Sequence, residues 1–87
     1  MTKTVYFVLD TVCRENNLHY PVICKTENNL ERAMIKIRTW TGPRHYLDNF
    51  MLCYTKKNAV EICENMRAEY RNAGRLEFEG TLSFETL

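Results

Sequence analysis

The stretch TVYFVLDTVCRENNLHYPVICK, residues 4–25, decides the fold. Its first ten residues are dense in β-branched and aromatic side chains, which suit a pleated surface and predict a strand. RENN (14–17) carries turn chemistry. LHYPVICK (18–25) predicts a second strand. Pro21 has no N–H to donate, so it predicts an edge position or a bulge there. The two strands make a hairpin.

Working outward, Thr26 is the expected cap of a first helix, and Glu27 follows with the sign that a helix N-terminus prefers. Leu30, Ala33, Met34, Ile37 and Trp40 recur at helical spacing as an apolar stripe. Arg32, Lys36 and Arg38 load the later turns with positive charge, and Gly42-Pro43 ends the helix. A polar loop, PRHYLDN (43–49), leads to a third strand, FMLCYT (50–55). Thr55 caps a second helix, whose buried stripe is Ala59, Ile62, Cys63, Met66 and Tyr70; Gly74 is its left-handed stop. In the tail RLEFEGTLSFETL, Leu76, Phe78, Leu82 and Phe84 alternate with Glu77, Glu79, Thr81, Ser83 and Glu85. That is the pattern of a strand with one solvated face, bent at Gly80.

The order is β-β-α-β-α-β over a single domain, residues 1–87. The expected architecture is an α+β two-layer sandwich, with one four-stranded mixed sheet and both helices on one face. Strand direction then sorts the chain into two edges. One edge holds the helix starts, Thr26, Glu27, Thr55, Lys56 and Lys57. The other holds the hairpin turn 14–17, the loop 41–48 and the turn 72–75.

Composition narrows the function classes. Nearly half of the chain (45%) is hydrophobic, enough for one modest core, and 12 basic residues stand against 11 acidic ones. A net charge of +1 argues against both an acidic nucleic-acid mimic and a uniformly basic nucleic-acid coat, and leaves room for a local basic patch. No apolar run approaches the ~18 residues of a membrane span, and the N-terminus reaches Asp10 too soon for a secretory signal. Cys13, Cys24, Cys53 and Cys63 show no C-x-x-C pairing, so they are expected as reduced, cytoplasmic core residues. A zinc site would have to draw on scattered cysteines plus His19 or His45, and neither a metal nor a cofactor is expected.

Most of the arginines map to the second edge. Arg14, Arg38, Arg44, Arg71 and Arg75 gather there with Trp40, His45 and Tyr46, and these eight are the candidate partner-binding residues. Arginine suits phosphate and carboxylate recognition through its planar fork, and Trp, Tyr and Arg anchor protein interfaces. The competing explanation is structural: Arg38 and Arg71 sit where helix C-termini favour cations, and Glu15, Asp48 and Glu69 offer pairs. Lys56 and Lys57 oppose the dipole of their own helix and form a secondary anion-binding candidate. Asp10, His19 and Cys13 come near one another across the hairpin, but no glycine-rich loop or oxyanion donor set accompanies them, so no enzyme activity is expected.

CKTENN (24–29) and CYTKKN (53–58) share Cys, Thr and the final Asn at the starts of the two helices. With this Asn-rich strand-to-helix grammar, a small size and a bent terminal strand, the chain resembles small phage or mobile-element accessory proteins, including anti-CRISPR proteins. The resemblance implies a host protein or nucleoprotein complex as partner, bound and inhibited in the host cytoplasm by a monomer or homodimer. It assigns a role to no individual residue. The alternative is a nucleic-acid-binding module that sets the same basic residues against phosphates.

Overall fold

The computed structural model describes residues 3–79 and 84–86, the last three and Trp40 by backbone alone. In chain order the elements are β1 (Thr4–Cys13), β2 (His19–Glu27), α1 (Leu30–Thr41), β3 (His45–Cys53), α2 (Lys56–Asn72) and β4 (Phe84–Thr86).

The hairpin forms as its sequence dictates. β1 and β2 pair antiparallel from Thr4↔Glu27 to Val12↔His19. Asn17 closes the turn at φ 60, a left-handed conformation that asparagine tolerates better than most residues. β3 then pairs antiparallel with the other side of β1, from Tyr6↔Cys53 to Cys13↔His45. Asp48 is the extra residue where the register shifts between Asp10 and Thr11, which makes it a β-bulge.

The four-stranded mixed sheet expected from the sequence is corrected. The sheet is three-stranded and antiparallel, β2-β1-β3. β4 adds three parallel pairs on the outer side of β2, Ile23↔Phe84 to Lys25↔Thr86, and Leu76 makes an isolated bridge to His19. Residues 77–79 are not strand, and Gly80, Thr81, Leu82 and Ser83 lie outside the described residues. The alternation of the tail fails because Glu77 turns inward while Phe78 is 55% exposed. Pro21 sits between the Leu76 bridge and the start of β4, on a stretch of β2 whose outer side has no strand partner among the described residues.

The helices do not share a face. Ala33 and Ile37 of α1 pack on Val5, Phe7, Leu9, Val22 and Cys24. Ala59 and Cys63 of α2 pack on Val8, Ile23 and Cys53, with Tyr6 beside them. Odd and even residues of β1 point to opposite faces, so the molecule has three layers, with β1 buried from both sides. The topology requires this. From β2 to β3 the chain moves across β1 in one direction, and from β3 to β4 it moves back in the other. Two crossovers of the same hand that travel in opposite directions place their helices on opposite faces. A strand covered on both faces reads as a near-continuous hydrophobic run, which is the character of TVYFVL.

The helix starts also differ from expectation at one end. β2 continues through Thr26 to Glu27, and Asn29 caps α1 by accepting from the Arg32 N–H at 3.1 Å. Thr55 does cap α2, accepting from the Asn58 N–H at 3.2 Å. CKTENN and CYTKKN are therefore not equivalent: the first threonine is a buried strand residue and the second a cap. Gly74, at φ 70, supplies the left-handed stop after α2.

Candidate functional site

β3 begins at His45, not at Phe50, so His45 and Tyr46 stand on a strand and not in a loop. The Arg14 N–H bonds the Arg44 carbonyl at 2.9 Å, which locks the end of β1 beside the start of β3. That bond fixes the geometry of the basic edge. The Arg14 guanidinium carbon lies 5.1 Å from the centre of the Tyr46 ring, within cation–π range. Arg14, Arg38 and Tyr46 line a groove of about 360 Å³ with Met34, His45 and Leu47, and no acidic side chain among the described residues lines it.

The remaining edge residues divide. Arg44 lines a neighbouring cleft with Tyr20, His45, Glu77 and Phe78. Arg71 pairs with Glu79, Nε to Oε1 at 3.3 Å, an exposed contact. Arg75 is exposed, and its carbonyl accepts from the His19 N–H at 2.7 Å. Neither Arg71 nor Arg75 lines the groove, because α2 ends on the other face of the sheet. Trp40 lies in α1, with its side chain outside what the structure describes. Lys56 and Lys57 are exposed in the first turn of α2, at the opposite edge.

Two polar clusters flank the C-terminal part of the central strand, one at Asp10 and one at Cys13. On the α2 face, Asp10 is 4% exposed and is held from two sides. His19 Nδ1 lies 2.9 Å from its Oδ1, and the Tyr70 hydroxyl donates to its Oδ2 at 2.6 Å. The His19 and Tyr70 rings stack 3.8 Å apart. Burial, followed by the bond to anionic Asp10, pushes the Tyr70 phenol well above its ordinary pKa. The hairpin placement of Asp10 near His19 is legible in the sequence; the third member, Tyr70, reads there only as part of an apolar stripe.

The second cluster joins Cys13, His45 and Glu77. His45 Nε2 lies 2.7 Å from Glu77 Oε1, and the ligand atoms of all three side chains lie within 4.8 Å of one another. Glu77 Oε2 is buried without a hydrogen-bond partner among the described residues. Burial pulls the Glu77 carboxyl up, but His45, the Cys13 thiol and the Arg44 charge outweigh it and hold it below the ordinary carboxylate range. Arg44 in turn is raised above its ordinary pKa, first by Cys13 and then by Glu77 and Glu15. Sequence reasoning pairs Cys13 with His19, whereas the register puts Cys13 directly opposite His45. Glu77 escapes notice because its alternation assigns it to solvent.

All four cysteines are buried and none forms a disulfide. No described helix is long and apolar enough to cross a membrane. Comparison with family models, curated proteins and solved structures finds no match to this chain.

Proposed function

We propose that this chain is a non-enzymatic binding protein that engages a host macromolecular complex through the Arg14–Arg38–Tyr46 groove and the adjoining edge of β3. The observation that carries the reading is the groove itself. Two arginines and a tyrosine converge on it with no carboxylate among the described residues of its lining, an arrangement suited to acidic side chains of a partner.

A protein partner is favoured over nucleic acid by what lies beside the groove. β3 is an outer strand of the sheet, and Phe50, Met51 and Leu52 are 39%, 47% and 37% exposed along it. An open strand edge with consecutive apolar side chains is a template for adding a partner strand, and it has no use for a phosphate backbone. Inhibition of a defence complex, as the resemblance to anti-CRISPR proteins implies, would follow if the bound surface were one that the complex needs.

The test compares the wild-type chain with Arg14→Glu/Arg38→Glu and with Met51→Lys. Each is immobilised and exposed to nuclease-treated host lysate. A partner retained by the wild type and lost with both variants supports the reading. Retention by both folded variants overturns it. In parallel, oligonucleotide binding is followed against salt: a steep fall in affinity with rising salt assigns the edge to phosphates instead.

A further inference from the structure

We propose that Cys13, His45 and Glu77 form a three-ligand binding site for a thiophilic divalent cation, zinc foremost, with a fourth coordination position left toward the neighbouring cleft. The inference goes beyond the binding reading and does not depend on it.

The donor set comes first. A thiolate, an imidazole and a carboxylate are the ligand types that zinc takes, and three protein ligands leave one position open to an exogenous ligand, unlike a closed four-ligand structural site. Softer and harder competitors fit less well. Calcium and magnesium want oxygen ligands throughout, and a single carboxylate offers too few.

The geometry comes second. The three ligand atoms already lie within 4.8 Å of one another. Around a tetrahedral zinc, such atoms sit about 3.3–3.6 Å apart, given Zn–S near 2.3 Å and Zn–N or Zn–O near 2.0–2.1 Å. The His45–Glu77 contact, at 2.7 Å, therefore has to open by about 0.6 Å. The Cys13 sulfur, within 4.8 Å of both partners, has to come to about 3.6 Å of each. The backbone holds the frame: Cys13 is paired with His45, Arg14 N–H bonds Arg44, and Glu77 N–H bonds the His19 carbonyl at 2.8 Å.

A third observation points to a ligand. Glu77 Oε2 is buried and accepts no well-formed hydrogen bond among the described residues; beyond the weak donor of the Cys13 thiol, the carboxylate has acceptor capacity to spare inside the cluster. Buried carboxylate oxygens are normally satisfied, and an absent ion is one of the explanations for one that is not. Cys13 itself is 0% exposed. That placement disfavours attack of its sulfur on a bulky substrate, but not ligation of a single ion.

On binding, Cys13 coordinates as thiolate and releases its proton to solvent. His45 coordinates through Nε2 as neutral imidazole, with its proton on Nδ1. The thiolate and carboxylate neutralise the ion's two charges. His45 and Glu77 also line the cleft shared with Tyr20, Arg44 and Phe78, which has a volume of about 380 Å³. With the Arg44 cation at its wall, the open position favours water or an anionic donor such as a carboxylate.

The experiment titrates the full chain, reduced and stripped with chelator, with Co²⁺ as spectroscopic probe and then displaces it with Zn²⁺. The expected result is one ion per chain, a thiolate-to-cobalt charge-transfer band and tetrahedral visible absorption, both removed by Zn²⁺. Glu77→Gln and His45→Gln should weaken binding at least tenfold. Cys13→Ser should abolish the charge-transfer band, and Cys63→Ala should leave it intact. Absence of the band in the wild-type chain overturns the proposal without recourse to any variant. So does a band that persists unchanged in the folded Glu77→Gln and His45→Gln chains, or one lost with Cys63→Ala and kept with Cys13→Ser.

Discussion

The Tyr70 hydroxyl donates a 2.6 Å hydrogen bond to Asp10 Oδ2 across 60 residues of sequence. It ties the last turns of α2 to the middle of the three-stranded sheet, at a carboxylate that is almost wholly buried. Tyr70→Phe keeps the ring stacked on His19 and removes only this donor. Leaving a buried carboxylate oxygen unsatisfied should cost about 1–3 kcal/mol. The urea midpoint should fall accordingly with the slope unchanged. Tyr54→Phe, at a side chain 67% exposed, should leave the midpoint where it is.

The same bond sets an alkaline limit. The folded Tyr70 phenol ionises above its ordinary value because burial and then Asp10 both oppose a second negative charge. In the unfolded chain it ionises near the ordinary ~10. A raised folded pKa contributes stability that is whole below that value and is lost as pH climbs toward the folded one. Stability measured by denaturant at fixed salt should therefore decline above about pH 10 more steeply in the wild type than in Tyr70→Phe. Phenolate absorbance should show one tyrosine titrating later than the rest in the folded protein. Parallel curves for the two chains would sink the assignment.

Much of this was legible in the residues. The hairpin, both helices and the Thr55 cap follow from local chemistry, because turn residues, 3.6-residue spacing and cap hydroxyls act within a few positions. The layer arrangement depends on where β3 joins the sheet, which is a long-range choice. β3 passes to the far side of β1, and that one placement moves α1 and α2 to opposite faces and lets His45 meet Cys13. Polar residues also masked strand: HYLDN at the start of β3 reads as loop because the edge of the sheet is solvated and Asp48 bulges. Glu77 departs from the alternation for the opposite reason, since its partner His45 draws an acidic side chain inward. The basic groove was legible only as a cluster at one edge. That Arg14 and Arg38 reach it while Arg71 and Arg75 do not follows from the two helices ending on different faces.

The three-layer arrangement predicts unequal costs for two neighbouring isoleucines of α1. Ile37 is fully buried between the helix and the odd face of β1, whereas Ile35 is 60% exposed. Ile37→Ala removes packed methylenes and leaves a cavity, at a cost of about 2–5 kcal/mol. Ile35→Ala should stay within about 0.5 kcal/mol of the wild type, since it touches little and alanine favours helix. Thermal or urea unfolding of the two single variants decides it. Equal losses would mean that α1 packs on a different stripe.

The two threonines of CKTENN and CYTKKN should respond oppositely. Thr55 accepts from the Asn58 N–H at the start of α2, and losing that cap in Thr55→Ala should cost about 1 kcal/mol. Thr26 lies in β2, 5% exposed, and its hydroxyl is buried without a hydrogen-bond partner among the described residues. Thr26→Val keeps the β-branched shape that a strand favours and removes a group whose desolvation is uncompensated. It should be neutral or stabilising, by up to about 1–2 kcal/mol. Unfolding midpoints of the two variants test this directly. A loss at Thr26→Val that matches the loss at Thr55→Ala would restore Thr26 as the cap of α1, and with it the equivalence of the two segments that the structure denies.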